Sequence, residues 1–242
     1  MTNNLSNIIT SAFSHKTHLT KSELEKVLAK YYTDHQNDNT LNWRIHDLKN
    51  KGIIQNFARG VYSLADKKEF QPDISTEVVE LFNRVQKDLP YTTISVIDTK
   101  WFNEFIQLQV FKTNIIVEAE KIATSNVFNN LIDAGKKAFL NPDPCIIERY
   151  VSNTEDTIIV KSLITESPVI EYQGIKIASL EKMLVDCIAD TKIYGAQSQE
   201  MDLIFKAAAE KYSINTSTLK RYARRRNRTE AINKLIQEHL DD

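Results

Sequence analysis

The chain has 242 residues, 42% hydrophobic and 26% charged, a length and balance that fit one large or two modest folded domains and exclude extended disorder. Its net charge of -1 hides an uneven distribution: residues 1–70 hold ten Lys/Arg against seven Asp/Glu, residues 213–242 hold seven against four, and the middle holds fourteen against twenty-one. Two mildly basic ends around an acidic centre make the ends the candidates for a polyanionic partner.

Leu5, Ile8, Ile9, Ala12 and Phe13 follow helical spacing and predict a first helix ending near Ser14 and His15. Thr20-Lys21-Ser22-Glu23 has the form of a capping box and opens a second helix whose Leu24, Val27, Leu28 and Tyr31 face inward. Polar turn material at 33–39 leads into the stretch around which the chain is organised, residues 39–64. There Leu41, Ile45 and Leu48 make one apolar stripe, Trp43, His46, Asp47 and Asn50 the opposite face, and Asn42, Arg44 and Lys49 its flanks. Thr40 or Asn39 is suited to cap this helix, and Gly52 to end it. Residues 53–56 and 61–64 then read as short strands joined by a turn at 57–60, with glycine where positive φ is needed. Helix, helix, helix, strand, strand is the order of a winged helix-turn-helix, whose third helix enters a DNA major groove while its wing reaches the backbone. This module is expected over residues 1–66.

Residues 67–74 read as a charged linker containing Pro72, and 75–242 as a second domain. A helix is predicted from Ser75 to Asp88, a buried strand at 92–97, and a short helical turn capped by Asp98 that carries Trp101, Phe102 and Phe105. A strand at 114–118, a helix from about 120 to 134 and a strand at 138–140 follow. Strands are expected at 157–163 and 174–177, paired with each other, and then a helix capped by Ser179. From about 196 onward the pattern is helical. The expected fold class is α+β: an N-terminal winged helix-turn-helix followed by an α/β domain with a helical, basic C-terminal end.

The outer face of the third helix mixes Asn, Arg, His and Lys, the donors that read base edges or hold phosphates. Trp43 lies about 180° from the apolar stripe, so the local core does not explain it. Arg59 beside Gly60 at the hairpin tip suits a phosphate contact. A solvated face, or a helix used for protein contacts, is the plainer alternative, and Asp47 opposes phosphate. The DNA-binding set is Thr40, Asn42, Trp43, Arg44, His46, Lys49 and Arg59, with positioning by Arg44, Lys49 and Arg59 and base readout by Asn42 and His46. Residues 220–228, KRYARRRNR, hold six basic residues in nine. Lys220, Arg221, Arg224, Arg225, Arg226 and Arg228 are candidates for phosphate binding or for docking an acidic protein face, including the chain's own acidic middle, with a solvated helix face as the plainer alternative. Leu219 and Tyr222 are expected to anchor that helix and leave the arginines outward.

No catalytic constellation assembles. The glycines Gly52, Gly60, Gly135, Gly174 and Gly195 are scattered singly, and no histidine pairs with a cysteine at zinc spacing. Glu118 and Glu120 followed by Lys121 are similar to the strand carboxylates and lysine of restriction-type nucleases, but at the wrong spacing. Asp186 and Asp190, with Glu181 a turn earlier, read as surface charges. Cys145 and Cys187 read as reduced core thiols. Neither a leader segment nor a run of ~18 apolar residues is present, so a soluble, cytoplasmic protein without a membrane partner is expected, with no catalytic residue, metal or cofactor.

Three segments carry a resemblance: KGIIQNFARGVYSL at 51–64, IKIASLEKMLVDCIAD at 175–190 and LKRYARRRNRTEAINKLI at 219–236. In this order, over nearly the full length, they resemble the AbiEi-type antitoxins of type IV toxin–antitoxin systems. That resemblance implies a winged helix that binds inverted repeats upstream of its own operon and represses it. It also implies a C-terminal domain that counteracts a nucleotidyltransferase-like toxin without a stable complex, often in phage defence. On this chain the helix around Thr40 to Asn50 would be the reader and Arg59 the backbone contact. The rival readings are a winged-helix regulator with a ligand-sensing domain and a DNA-targeted nuclease.

Overall fold

The computed structural model describes residues 2–13, 16, 18–32, 38–50, 52–64, 69–106, 112–151, 154 and 157–240. The end of the first helix near Ser14 and His15, the turn material at 33–37 and linker residues 67–68 lie outside them. The fold is mixed α+β, and the chain divides into two compact units, Met1–Glu69 with Glu210–Ser217, and Phe70–Ala209 with Thr218–Asp242.

The first unit contains α1 (Thr2–Ala12), β1 (Leu19–Thr20), α2 (Lys21–Tyr31), α3 (Asp38–Asn50), β2 (Ile54–Ala58) and β3 (Val61–Leu64). Its strands form an antiparallel sheet ordered β1-β3-β2. Thr20 opens α2 with a capping box: the Glu23 amide donates to Thr20 Oγ1 at 3.3 Å and the Thr20 amide to Glu23 Oε2 at 2.9 Å. Hydrogen bonds from Lys16, and then from the Thr20 amide, hold the Glu23 carboxyl down at about 2. Ile9 and Phe13, Leu24 and Leu28, Ile45 and Leu48, and Ile54 bury their side chains in one core, as helical and strand periodicity requires. The third helix begins at Asp38, so Thr40 lies inside it rather than capping it.

Gly52 ends α3 in a Schellman arrangement. Its amide donates to the Lys49 carbonyl at 2.9 Å and the Ile53 amide to the Leu48 carbonyl at 3.0 Å, which requires the left-handed φ of +62°. The segment at 210–217, not anticipated in this unit, closes over that turn: a Cβ on Gly52 would lie 1.2 Å from Ser213 Oγ. The hairpin turns through Arg59 and Gly60, and the Gly60 carbonyl accepts from the Lys21 amide at 2.8 Å, tying the turn to the start of α2.

From Phe70 onward come α4 (Thr76–Asp88), β4 (Ile94–Asp98), a 3-10 turn (Thr99–Glu104), β5 (Asn114–Ala119), α5 (Thr124–Asp133) and β6 (Lys137–Leu140). A three-residue α6 (Pro144–Ile146) runs into a π-helical turn (Ile147–Val151). Next come β7 (Thr157–Ser162), β8 (Val169–Tyr172), β9 (Ile175–Ala178), α7 (Leu180–Ala189), α8 (Gly195–Gln199), α9 (Met201–Lys211), α10 (Thr216–Arg225) and α11 (Thr229–His239). The six strands are ordered β6-β7-β5-β4-β9-β8, parallel except for the β5–β4 and β9–β8 pairs. Central β4, β5 and β7 carry apolar runs because both faces are buried there.

The expected pairing of 157–163 with 174–177 is corrected. β7 pairs with β5 and β6, whereas β9 pairs with β4 and β8. The intervening segment instead supplies β8, which turns into β9 through Gln173 (φ 52°) and Gly174 (φ 80°). Two consecutive positive φ values make the turn that favours a tight hairpin over a longer crossover. Ahead of α4, Phe70 and Pro72 are buried and Trp101 Nε1 donates to the Asp73 carbonyl at 3.0 Å, so residues 70–73 pack within this unit. Cys187 is buried, but Cys145 is exposed, which corrects its assignment to the core. No helix among the described residues is long and apolar enough to cross a membrane.

Candidate functional site

Burial of Ile45 and Leu48 decides which face of α3 meets solvent. Asn42, Trp43 and His46 stand on that face, and Trp43 is 66% exposed. Thr40 and Lys49 are half-buried. Arg59 is exposed at the hairpin turn. Arg44 departs from the group. Its guanidinium lies 3.6 Å from the centre of the Tyr32 ring, and Nη1 is buried. A cation over an aromatic face is a packing contact worth about 0.5–2 kcal/mol, so Arg44 braces α3 against the residue that follows α2. The exposed members of the predicted set are thus Asn42, Trp43, His46 and Arg59.

The second predicted set is split. Leu219 and Tyr222 bury α10, as expected, and Lys220, Arg221 and Arg224 are exposed. The other three are engaged by the chain itself: Arg225 stays exposed, whereas Arg226 and Arg228 are half-buried. Arg225 Nε donates to Thr165 Oγ1 at 2.8 Å, and Arg228 Nε to the Ile188 carbonyl at 3.3 Å. Arg226 pairs with Asp186 at 3.1 Å and with Asp190 at 2.6 Å. Of the alternatives left open for this segment, contact with the chain's own acidic middle therefore accounts for Arg226.

Arg226 belongs to a buried ion cluster that the sequence reading missed. Glu118 on β5 lies opposite Lys161 in the register with β7. Lys182 and Asp186 stand one turn apart on α7, and Asp190 caps its end. Lys182 Nζ is 2.8 Å from Glu118 and also pairs with Asp186, while Lys161 Nζ is 3.4 Å from Glu118 and pairs with Asp190. The Tyr222 hydroxyl donates to Asp186 Oδ1 at 2.8 Å. Three carboxylates face three cations, and Glu118, Lys182 and Asp186 are fully buried. The reading of Asp186, Asp190 and Glu181 as surface charges is corrected: Asp186 and Glu181 are buried, and Asp190 is held by two cations. The signal available was a charge inside an apolar run, Glu118 in NIIVEA, Lys161 in TIIVKS and Lys182 in IASLEKMLV.

Burial disfavours the charges of Lys182, Lys161, Asp186 and Arg226, and their partners outweigh it. Lys182 would be lowered by burial, but Glu118 and Asp186 raise it. Lys161 is raised in the same way by Glu118, Asp186 and Asp190. Burial pushes Asp186 up, yet Lys182, Lys161 and Arg226 hold it below the ordinary carboxylate value. Cys187 is pushed up to about 12 by burial and then by Asp186, and Tyr222 is raised by the same two causes. Lys182 thus stays protonated at neutral pH, which disqualifies it as a base or nucleophile. Glu118 sits between two ammonium groups while Glu120 is exposed outside the strand, so the structure does not bring together the acidic pair considered for nuclease chemistry.

Two further features lie in the second unit. An open polar groove of about 410 Å³ is lined by Pro144, Ile147, Glu148, Thr191, Lys192, Gly195, Ser198 and Gln199. Asp202, Glu238 and His239 gather at the surface, where His239 Nε2 lies 2.8 Å from Asp202 Oδ1 and Glu238 also pairs with Lys234 at 3.7 Å.

These features define a mixed α+β protein whose helix-and-hairpin unit precedes a six-stranded unit knit by buried charge. Residues 40–242 match the model of a family of unknown function (DUF6577), and the chain belongs to that family. No curated protein was found to match the chain.

Proposed function

We propose that this chain is a winged-helix DNA-binding antitoxin that represses its own operon and counteracts a nucleotidyltransferase-like toxin in the cytoplasm. The observation that carries the reading is the first unit. Its order of helix, strand, helix, helix, strand, strand and its β1-β3-β2 sheet fit a winged helix. Its third helix turns Asn42, Trp43 and His46 to solvent, and its hairpin turn carries Arg59. In this reading Asn42 and His46 read base edges and Arg59 holds a phosphate. Thr40 and Lys49 flank the reading face, and Arg44 supports it from below. The buried cluster ties β5, β7, α7 and the end of α10 together, and the exposed Lys220, Arg221 and Arg224 form the face through which that unit counteracts the toxin, functionally and without a stable complex.

The test is binding of the purified chain to the DNA upstream of its own gene against a shuffled fragment, at two salt concentrations. The expected result is a preference of about 1000-fold or more for the native fragment. Equal, strongly salt-dependent binding to both would reduce the first unit to a polyanion surface, and binding to neither would leave an interaction module. The polar groove supports one second reading, a winged-helix regulator whose second unit senses a ligand. A small molecule that shifts the operator titration without the toxin gene present would favour it.

A further inference from the structure

Trp43 is the large hydrophobic side chain that the first unit leaves exposed among its described residues, at 66%, while Ile45 and Leu48 of the same helix are buried. Asn42 precedes it and His46 follows one turn on, both exposed. An indole kept in water forgoes the gain of burying its large apolar surface, and so leaves that surface open to a partner. Its setting says which one. Polar donors flank it, and Arg59 stands on the hairpin turn of the same unit, a combination that suits the floor of a major groove. The feature of a base edge there that apolar surface recognises is the C5-methyl group of thymine. We infer that the Trp43 indole packs against a thymine methyl in duplex DNA, which makes Trp43 a specificity-determining residue. This inference rests on the DNA-binding reading above.

The experiment uses the full chain and the DNA upstream of its own gene, amplified once with thymidine and once with deoxyuridine, which lacks only the methyl group. Wild type is expected to bind the deoxyuridine fragment about ten-fold more weakly, within the range of a base-specific contact. Trp43→Ala is expected to bind both fragments alike, because it has already lost the contact the methyl provides. Trp43→Phe, which keeps an apolar ring, should recover part of the preference. A second readout is built into the chain. Of its two tryptophans, Trp101 is 5% exposed and donates to the Asp73 carbonyl. Acrylamide quenching therefore reports on Trp43, and the thymidine fragment should protect it. Equal wild-type affinity for the two fragments, or an unchanged methyl penalty in Trp43→Ala, would overturn the inference while leaving a native-over-shuffled preference intact. Loss of that preference in wild type would instead bring down the DNA reading, and the inference with it.

Discussion

Lys182 shows what one buried charge does in this chain. It lies between Glu118 and Asp186, and its charge helps hold the Asp186 carboxyl below the ordinary value despite burial. Removing one partner of a buried pair leaves an uncompensated charge and costs about 3–5 kcal/mol. Lys182→Met should therefore lower the unfolding free energy of the second unit by that amount in urea titrations followed by Trp101 fluorescence in a Trp43→Phe background. Lys220→Met, on the exposed face of α10, should change it by less than about 0.5 kcal/mol. Arg44 and Arg59 separate in the same way. Arg59→Ala should lower the salt slope of DNA binding by about one unit, read by titration at several salt concentrations. Arg44→Ala should leave that slope in place and cost the first unit about 1 kcal/mol, through loss of the Tyr32 contact.

At the scale of elements, the end of α3 decides where the outer face stops. Gly52 holds a left-handed φ and has Ser213 packed against its Cα. Alanine there meets two obstacles at once, a disfavoured backbone and a side chain with no room. Gly52→Ala should lower the melting temperature of the first unit by a change worth more than about 1 kcal/mol, measured by differential scanning calorimetry. Much of this element was legible beforehand. Ile45 and Leu48 set the buried stripe, Gly52 and Gly60 mark the turns, and Thr20 with Glu23 announce α2. Ser213 was not legible, because nothing local links position 213 to position 52.

At the scale of the molecule, titration of the buried cluster shapes stability against pH. Asp186, held below its unfolded value of about 3.9, contributes stability above that value and loses it as pH falls through its own lower one. Lys161 and Lys182, held above about 10.4, contribute fully below that value and lose it as pH rises through their raised ones. Cys187 acts sooner: the unfolded thiol ionises from about pH 8.5, so stability falls from there until about 12. The second unit should be most stable between about pH 4 and 8.5 and decline on both sides. Trp101 fluorescence in urea, in a Trp43→Phe background, measures this. Cys187→Ala should flatten the first part of the alkaline decline, and a level profile up to pH 11 would contradict the account. The exposed basic face of α10 makes a separate prediction. Replacing Lys220, Arg221 and Arg224 with glutamate should abolish toxin neutralisation in co-expression while operator titrations stay unchanged. Arg226 is left alone in that variant, because reversing it would break the cluster.

By itself the sequence determined much of the local architecture: where most helices lie, which faces α2 and α3 bury, the cap that opens α2 and the glycines that end α3 and turn the hairpin. These are interactions over a few residues, and composition and spacing encode them directly. Only the tertiary structure decided which charges meet. Glu118, Lys161, Lys182, Asp186, Asp190 and Arg226 come from two strands, one helix and its end, and the turn after another helix. An apolar run around Glu118, Lys161 and Lys182 hints at burial, but nothing local says which charge meets which. Tertiary packing removes them from water together, and a charge can stay buried only where its opposite is brought from elsewhere in the chain. The same reason explains Arg44 over Tyr32, Ser213 over Gly52 and the pairing of β9 with β4: the partner lies far away in sequence, and only folding brings it there.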